Sequence, residues 1–178
     1  MILEPEVNLS LNLYEKVESA KLTMAIVPGV PRVDLASERL GEVELVCMCN
    51  PTRFACPDDL SMAELSRLPL LMQTDRSALQ ATVDEHFRRN NVTPKTTLAC
   101  NSLSAISGLA VAGLGVGILP KRLYLDKLAS GELKTIRLTP ALPTLEYFVV
   151  SRRGGGLEAV CRRMSLIIND VWQSAKLH

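Results

Sequence analysis

The sequence predicts an α/β fold, on three observations. Short apolar runs of strand length, among them LTMAIV (22–27), LVCMC (45–49) and LEYFVVS (145–151), alternate with stretches of helical periodicity. Proline, glycine and asparagine punctuate nearly every junction between them. A chain of 178 residues with 47% hydrophobic and 22% charged residues is globular, and long enough for one domain or two small lobes sharing a core. Strands alternating with helices imply a parallel-rich sheet with helices on both faces.

The elements follow in order. VNLSLNL (7–13) alternates apolar and polar residues at period two, so a half-buried strand is expected, followed by a short helical piece over 14–21. Residues 22–27 form a buried strand ended by Pro28-Gly29, and residues 39–44 lead into another at 45–49, closed by Asn50-Pro51. After the loop containing Pro57-Asp58-Asp59, Ser61 and Glu64 stand three apart as a capping box for a short helix over 61–66. Pro69 opens a strand over 70–73. A helix over 77–90 follows, with Leu79, Val83 and Phe87 on one face, stopped by Asn90-Asn91 and Pro94.

Residues 96–100 are the next strand, 103–112 a helix, and 116–119 a strand backed by Pro120. A short helix (121–128), the Gly131 turn and strands at 133–138 and 145–151 come next. Beyond Arg152-Arg153 and a triple glycine at 154–156, a last helix starts near Leu157. Its apolar stripe is Leu157, Val160, Cys161, Met164, Ile167, Ile168 and Val171.

Charge and composition exclude several functions. Lysine and arginine total 20 against 19 acidic residues, a net charge of +1. The doublets Arg88-Arg89, Arg152-Arg153 and Arg162-Arg163 are dispersed rather than gathered into a basic stripe, so this chain is not expected to bind DNA by itself. The most apolar stretch, 108–120, is too short for a bilayer, and MILEPEV carries no export signal; no membrane partner is expected. Five cysteines, irregularly spaced and without CxxC, fit a reducing cytoplasm. Cys47, Cys49 and nearby Cys56 read as small buried apolar residues rather than a zinc site, since only His86 and His178 could complete a ligand set. Neither a metal nor a cofactor is expected.

Gly113, Gly115 and Gly117 spell G-x-G-x-G, but a dinucleotide fingerprint follows a strand and opens a helix, and here the helix comes first. Gly113 is better read as a helix C-cap and the others as a tight re-entry into the sheet. No nucleophile elbow or HExxH occurs, and Glu85-His86 lies in a charged helical stretch, so no enzymatic activity is expected.

Two strand-to-helix turns hold more chemistry. Gln73-Thr74-Asp75-Arg76-Ser77 and Cys100-Asn101-Ser102-Leu103 each set hydroxyl and amide side chains beside the free N–H groups of a helix start, which favour anions. Arg76 adds positive charge and Asp75 opposes it. Capping by Ser77 and Ser102 explains the same residues without a ligand, and both roles are compatible.

The string GLAVAGLGVGILP (108–120) closely resembles a helix-turn-strand segment of the effector-binding domain of LysR-type transcriptional regulators. The flanking strings LTMAIVPG, GEVELVCMCNP, SMAELSRLPLLMQ, SGELKTIRL and LEYFVVSRR occur in a similar order, so the resemblance runs from about residue 5 to 172. It implies two Rossmann-like α/β lobes joined by two hinge strands (46–50 and 145–150), similar to type 2 periplasmic binding proteins. Lobe I would be 1–49 plus 148–178, and lobe II 50–147.

The resemblance further implies a small-molecule effector, an organic anion or metabolite, held between the lobes. The residues it implies are Thr74, Arg76, Ser77, Asn101, Ser102 and Leu103, with Val27 and Pro28 on the lobe I wall. It also implies a homodimer or homotetramer in the cytoplasm, reaching DNA only through a winged helix-turn-helix domain that this sequence does not contain. The family's opening strand and helix, ahead of Pro5-Glu6-Val7, are not represented either, so the chain is expected to be a fragment or an incomplete record. A transport-type solute-binding protein of the same architecture is the alternative, and a small enzyme on this scaffold a third.

Overall fold

In the computed structural model, which describes residues 4–55, 57–154 and 156–174, the chain is mixed α/β. It divides into two compact units, Met1–Glu42 with Glu146–His178, and Val43–Leu145. Two strands, β2 (Leu35–Cys49) and β8 (Thr144–Arg152), run through the boundaries between them.

The first unit contains α1 (Ser10–Glu18), β1 (Met24–Pro28), the opening of β2, most of β8 and α6 (Glu158–Ser174). Strands β1 and β8 are antiparallel, from Met24 opposite Ser151 to Pro28 opposite Tyr147. Leu13, Tyr14 and Val17 of α1 pack with Ala25, Val27, Leu35 and Val150 in one apolar cluster. Arg32 stacks over the Tyr14 ring at 4.9 Å and pairs with Glu18.

The second unit carries β3 (Asp59–Ser61), α2 (Met62–Leu65), β4 (Pro69–Gln73), α3 (Ala78–Arg89), β5 (Thr96–Cys100), α4 (Leu103–Val111), β6 (Val116–Pro120), α5 (Leu125–Ala129) and β7 (Lys134–Thr139). The end of β2 lies between β6 and β7 and is antiparallel to both. Parallel pairing joins β4 to β6, β4 to β5 and β3 to β7, so the sheet is mixed rather than dominated by parallel strands. Met48, Leu71, Ile106, Ala110, Leu119, Tyr124 and Leu133 form a core under α4.

Three expectations are corrected. Residues 7–13 are not a strand: α1 begins at Ser10, because Ser10, Leu13, Tyr14 and Val17 form a buried face at helical spacing. Leu9 is its N-cap and makes no side-chain cap bond; ahead of it Asn8 Oδ1 accepts from the Leu9 N–H and from the Asn12 side-chain amide at 2.9 and 2.7 Å. Strand β2 begins at Leu35, ten residues before the apolar run, because its polar positions face outward while backbone pairing continues. The apolar stripe of α6 is mostly open: the helix buries only Cys161 and Ser165, while Leu157, Val160, Ile167 and Val171 are exposed.

The glycine-rich string is explained by close approach. Gly113 has a φ of +82°, its N–H bonds the Ala110 carbonyl, and the Leu114 N–H bonds that of Leu109, which together close α4 as a Schellman turn. A Cβ at Gly113 would stand 2.5 Å from Arg53 Cβ, and one at Gly115 would stand 2.4 Å from the Pro69 carbonyl oxygen. These glycines let backbones touch.

Candidate functional site

Parallel pairing of β4 with β5 is what builds the candidate site. Their last residues, Gln73 and Cys100, are register partners, so Thr74 and Asn101 leave the sheet side by side at its carboxyl edge. Adjacent strands lie about 4.8 Å apart. Each turn then enters a helix, α3 at Ala78 and α4 at Leu103. Two helix N-termini with their free N–H groups therefore converge at neighbouring positions, an arrangement suited to negative charge. Neither helix has an acidic residue in its first turn to neutralise that end.

Local chemistry fixes both turns. Ser77 caps α3: its hydroxyl accepts from the Gln80 N–H and donates to Gln73 Oε1, and its own N–H bonds the Thr74 carbonyl. Ser102 caps α4 by accepting from the Ala105 N–H at 3.3 Å. Ser77 is buried, Ser102, Thr74 and Leu103 half-buried, and Asp75, Arg76 and Asn101 exposed. Leu103 leans on the core cluster beneath α4.

Six of the sequence-predicted residues, Thr74, Arg76, Ser77, Asn101, Ser102 and Leu103, thus fall on one pair of adjacent turns. Val27 and Pro28 belong to the other unit, at the end of β1, where Pro28 opposes Tyr147. The Val27 side chain is fully buried in that unit's core, which leaves only its backbone for any contact.

Two polar residues behind the turns, Gln80 and Ser107, were not singled out from the sequence. Gln73 and Gln80 are buried; Gln80 donates to Asp84 at 2.7 Å, while its Oε1 is buried without a protein partner. Ser107, in the second turn of α4, is 1% exposed and its hydroxyl also lacks a protein partner. Leaving such a group unpaired costs about 1–3 kcal/mol. The signal was present in the sequence: Gln80 and Ser107 are polar residues at positions where a helix packs inward.

Groups for acid–base or metal chemistry do not gather here. Among the described residues no set of three or more His, Cys, Asp or Glu could hold a metal ion. Cys47 and Cys49 are buried in β2, and Cys56 lies outside the described residues. Glu85 bonds Arg88 and Arg89, and those hydrogen bonds hold its carboxyl below the usual carboxylate value. No described helix is long and apolar enough to cross a membrane.

Known proteins place this arrangement in context. The chain is 26% identical over 171 residues to a protein of Anaeromyxobacter dehalogenans (strain 2CP-C) named phosphonates import ATP-binding protein PhnC, covering 89% of this chain and 34% of that one. It is 27% identical over 122 residues to the uncharacterized HTH-type transcriptional regulator YybE of Bacillus subtilis (strain 168), covering 67% of this chain and 42% of that one. The chain therefore spans well under half the length of either relative.

Among solved structures, the CcmR regulatory domain of Synechocystis PCC6803 in complex with 2-PG has a TM-score of 0.79 at 18% identity, over 92% of this chain and 79% of that one. The effector-binding domain of QuiR in complex with shikimate has a TM-score of 0.75 at 18% identity, over 91% and 78%. At these identities the likeness concerns the fold, which is periplasmic-binding-protein-like. The family model described as LysR substrate binding domain matches residues 3–172, and the chain belongs to that family.

Proposed function

We propose that this chain is the ligand-sensing regulatory domain of a LysR-type transcriptional regulator, and that its effector is a small organic anion. The observation that carries this reading is the register of Gln73 with Cys100, which sets the Ser77-capped and Ser102-capped helix starts side by side. Family membership and the ligands named for CcmR and QuiR, 2-PG and shikimate, support it.

In this reading the anion lies against the N–H groups of α3 and α4, with Thr74, Ser77, Asn101 and Ser102 supplying hydroxyl and amide contacts and Arg76 a guanidinium. Leu103 supplies an apolar wall. The domain is not an enzyme; it works by population shift. An effector that prefers one arrangement of the two units biases that state by its differential affinity, and no more than that. A cytoplasmic homodimer or homotetramer then passes the change to winged helix-turn-helix domains of the longer protein, which contact DNA.

Thermal unfolding with a panel of small carboxylates and phosphate esters tests the proposal. A true effector at a hundred times its Kd adds about 2.7 kcal/mol. For a chain this size that is a rise in Tm of about 5–10 °C. No rise with any anion would count against the sensing role.

A further inference from the structure

We propose that the first unit holds a second binding site, for a small anion, in the cavity under the first turns of α6. This cavity, of about 350 Å³, is lined by residues of β2, β8 and α6 from that unit alone. It lies at the Ser151 end of β8. Val27 and Pro28 sit at the Tyr147 end, four residues or about 13 Å along the strand. The effector turns at Thr74 and Asn101 belong to the other unit.

Unused polar groups mark the cavity as a site. Among the described residues neither Arg152 nor Arg162, which line it, pairs with a carboxylate or carbonyl, whereas Arg32, Arg39, Arg88, Arg89 and Arg137 each pair with a carboxylate. Arg153 also lines it, and donates to the Leu35 carbonyl at 3.1 Å. Ser165 is 6% exposed and lines the cavity, where its hydroxyl can meet a ligand. The N-terminus of the 17-residue α6 opens onto the same space through Glu158 and Cys161.

Glu38 and Glu158 line the cavity as well, so three guanidiniums face two carboxylates and the net charge is positive. That balance admits a small oxyanion, a carboxylate or a phosphate. A planar or tetrahedral oxyanion between Arg152 and Arg162 would take charge-assisted bonds from both and a hydroxyl bond from Ser165.

Cys161 supplies the readout, being 8% exposed on the cavity wall. Alkylation of the 178-residue chain by iodoacetamide, followed peptide by peptide, is compared in inorganic phosphate and in potassium chloride of equal ionic strength. Phosphate at about 10 mM slows Cys161 labelling roughly threefold or more, as occupancy of a millimolar site requires. Cys100, half-buried at the effector turns, is followed separately as the report of that other site. The double substitution Arg152→Gln with Arg162→Gln abolishes the protection, and both residues are exposed and unpaired, so the fold survives. In the unsubstituted chain, phosphate shifts the amide resonances of Cys161 and Ser165. Equal labelling in the two salts, protection that persists in the double variant, or protection by ammonium instead of phosphate would each overturn the proposal.

Discussion

Gln73 and Cys100 end neighbouring parallel strands at the same level, and each is followed within four residues by a serine that caps a helix. The candidate site is a consequence of that pairing. Slipping β5 by one residue would move Asn101 away from Thr74 and turn every β5 side chain to the opposite face.

The two caps differ in weight. Ser77 is buried and bonded to Gln73, Gln80 and Thr74, so Ser77→Ala should cost about 1–2 kcal/mol in urea unfolding. Ser102 is half-buried with one long bond, and Ser102→Ala should cost about 0.5–1 kcal/mol. Its effect on ligand affinity should be larger than its effect on stability. Loss of a hydrogen bond to a charged ligand is worth about 1.5–3 kcal/mol, or tenfold or more in Kd by calorimetry. Equal, small losses in both measurements would reduce Ser102 to a cap.

Gly113→Ala should destabilise the second unit by about 1–3 kcal/mol, because a side chain must adopt φ +82° and displace Arg53 at the same time. The same change at Gly131, also at positive φ but with open space around it, should cost less. A urea series comparing the two variants checks this ordering.

The stripe on α6 should behave as surface. Ile167→Lys is expected to change stability by no more than about 0.5 kcal/mol. Leu119→Ala, in the core beneath α4, should cost about 2–5 kcal/mol. A large loss at Ile167 would mean that its face is covered in solution.

Glu64 accepts from the Ser61 N–H and hydroxyl at 2.8 and 2.6 Å, which holds its pKa below the ordinary 4.5. A depressed carboxylate contributes stability above its unfolded value and loses it as pH falls through its folded value. Glu64→Gln should therefore flatten the acid side of the stability profile below about pH 4.5 while leaving the neutral-pH slope unchanged. Parallel profiles for the two proteins would contradict the capping role.

Local chemistry was legible in the sequence and packing was not. The capping box at Ser61 and Glu64, the caps at Ser77 and Ser102 and the left-handed Gly113 could be read directly, because each depends on residues three or four apart. The segment at 7–13 misled because VNLSLNL satisfies period two while Leu13, Tyr14 and Val17 satisfy the helix, and only docking against Val150 chooses between them. The long lead-in of β2 was hidden because its partners, not its own residues, make it a strand. The turns were visible as capping chemistry, but their adjacency came from strand order, which no local pattern encodes.

The most direct test is a nitrogen-15 amide map of the chain titrated with whichever carboxylate or phosphate ester raises its Tm most. The account predicts the largest shifts at the amides of residues 74–80 and 101–105, diminished by Thr74→Ala and Ser102→Ala. Saturable binding that leaves those amides unmoved would contradict it.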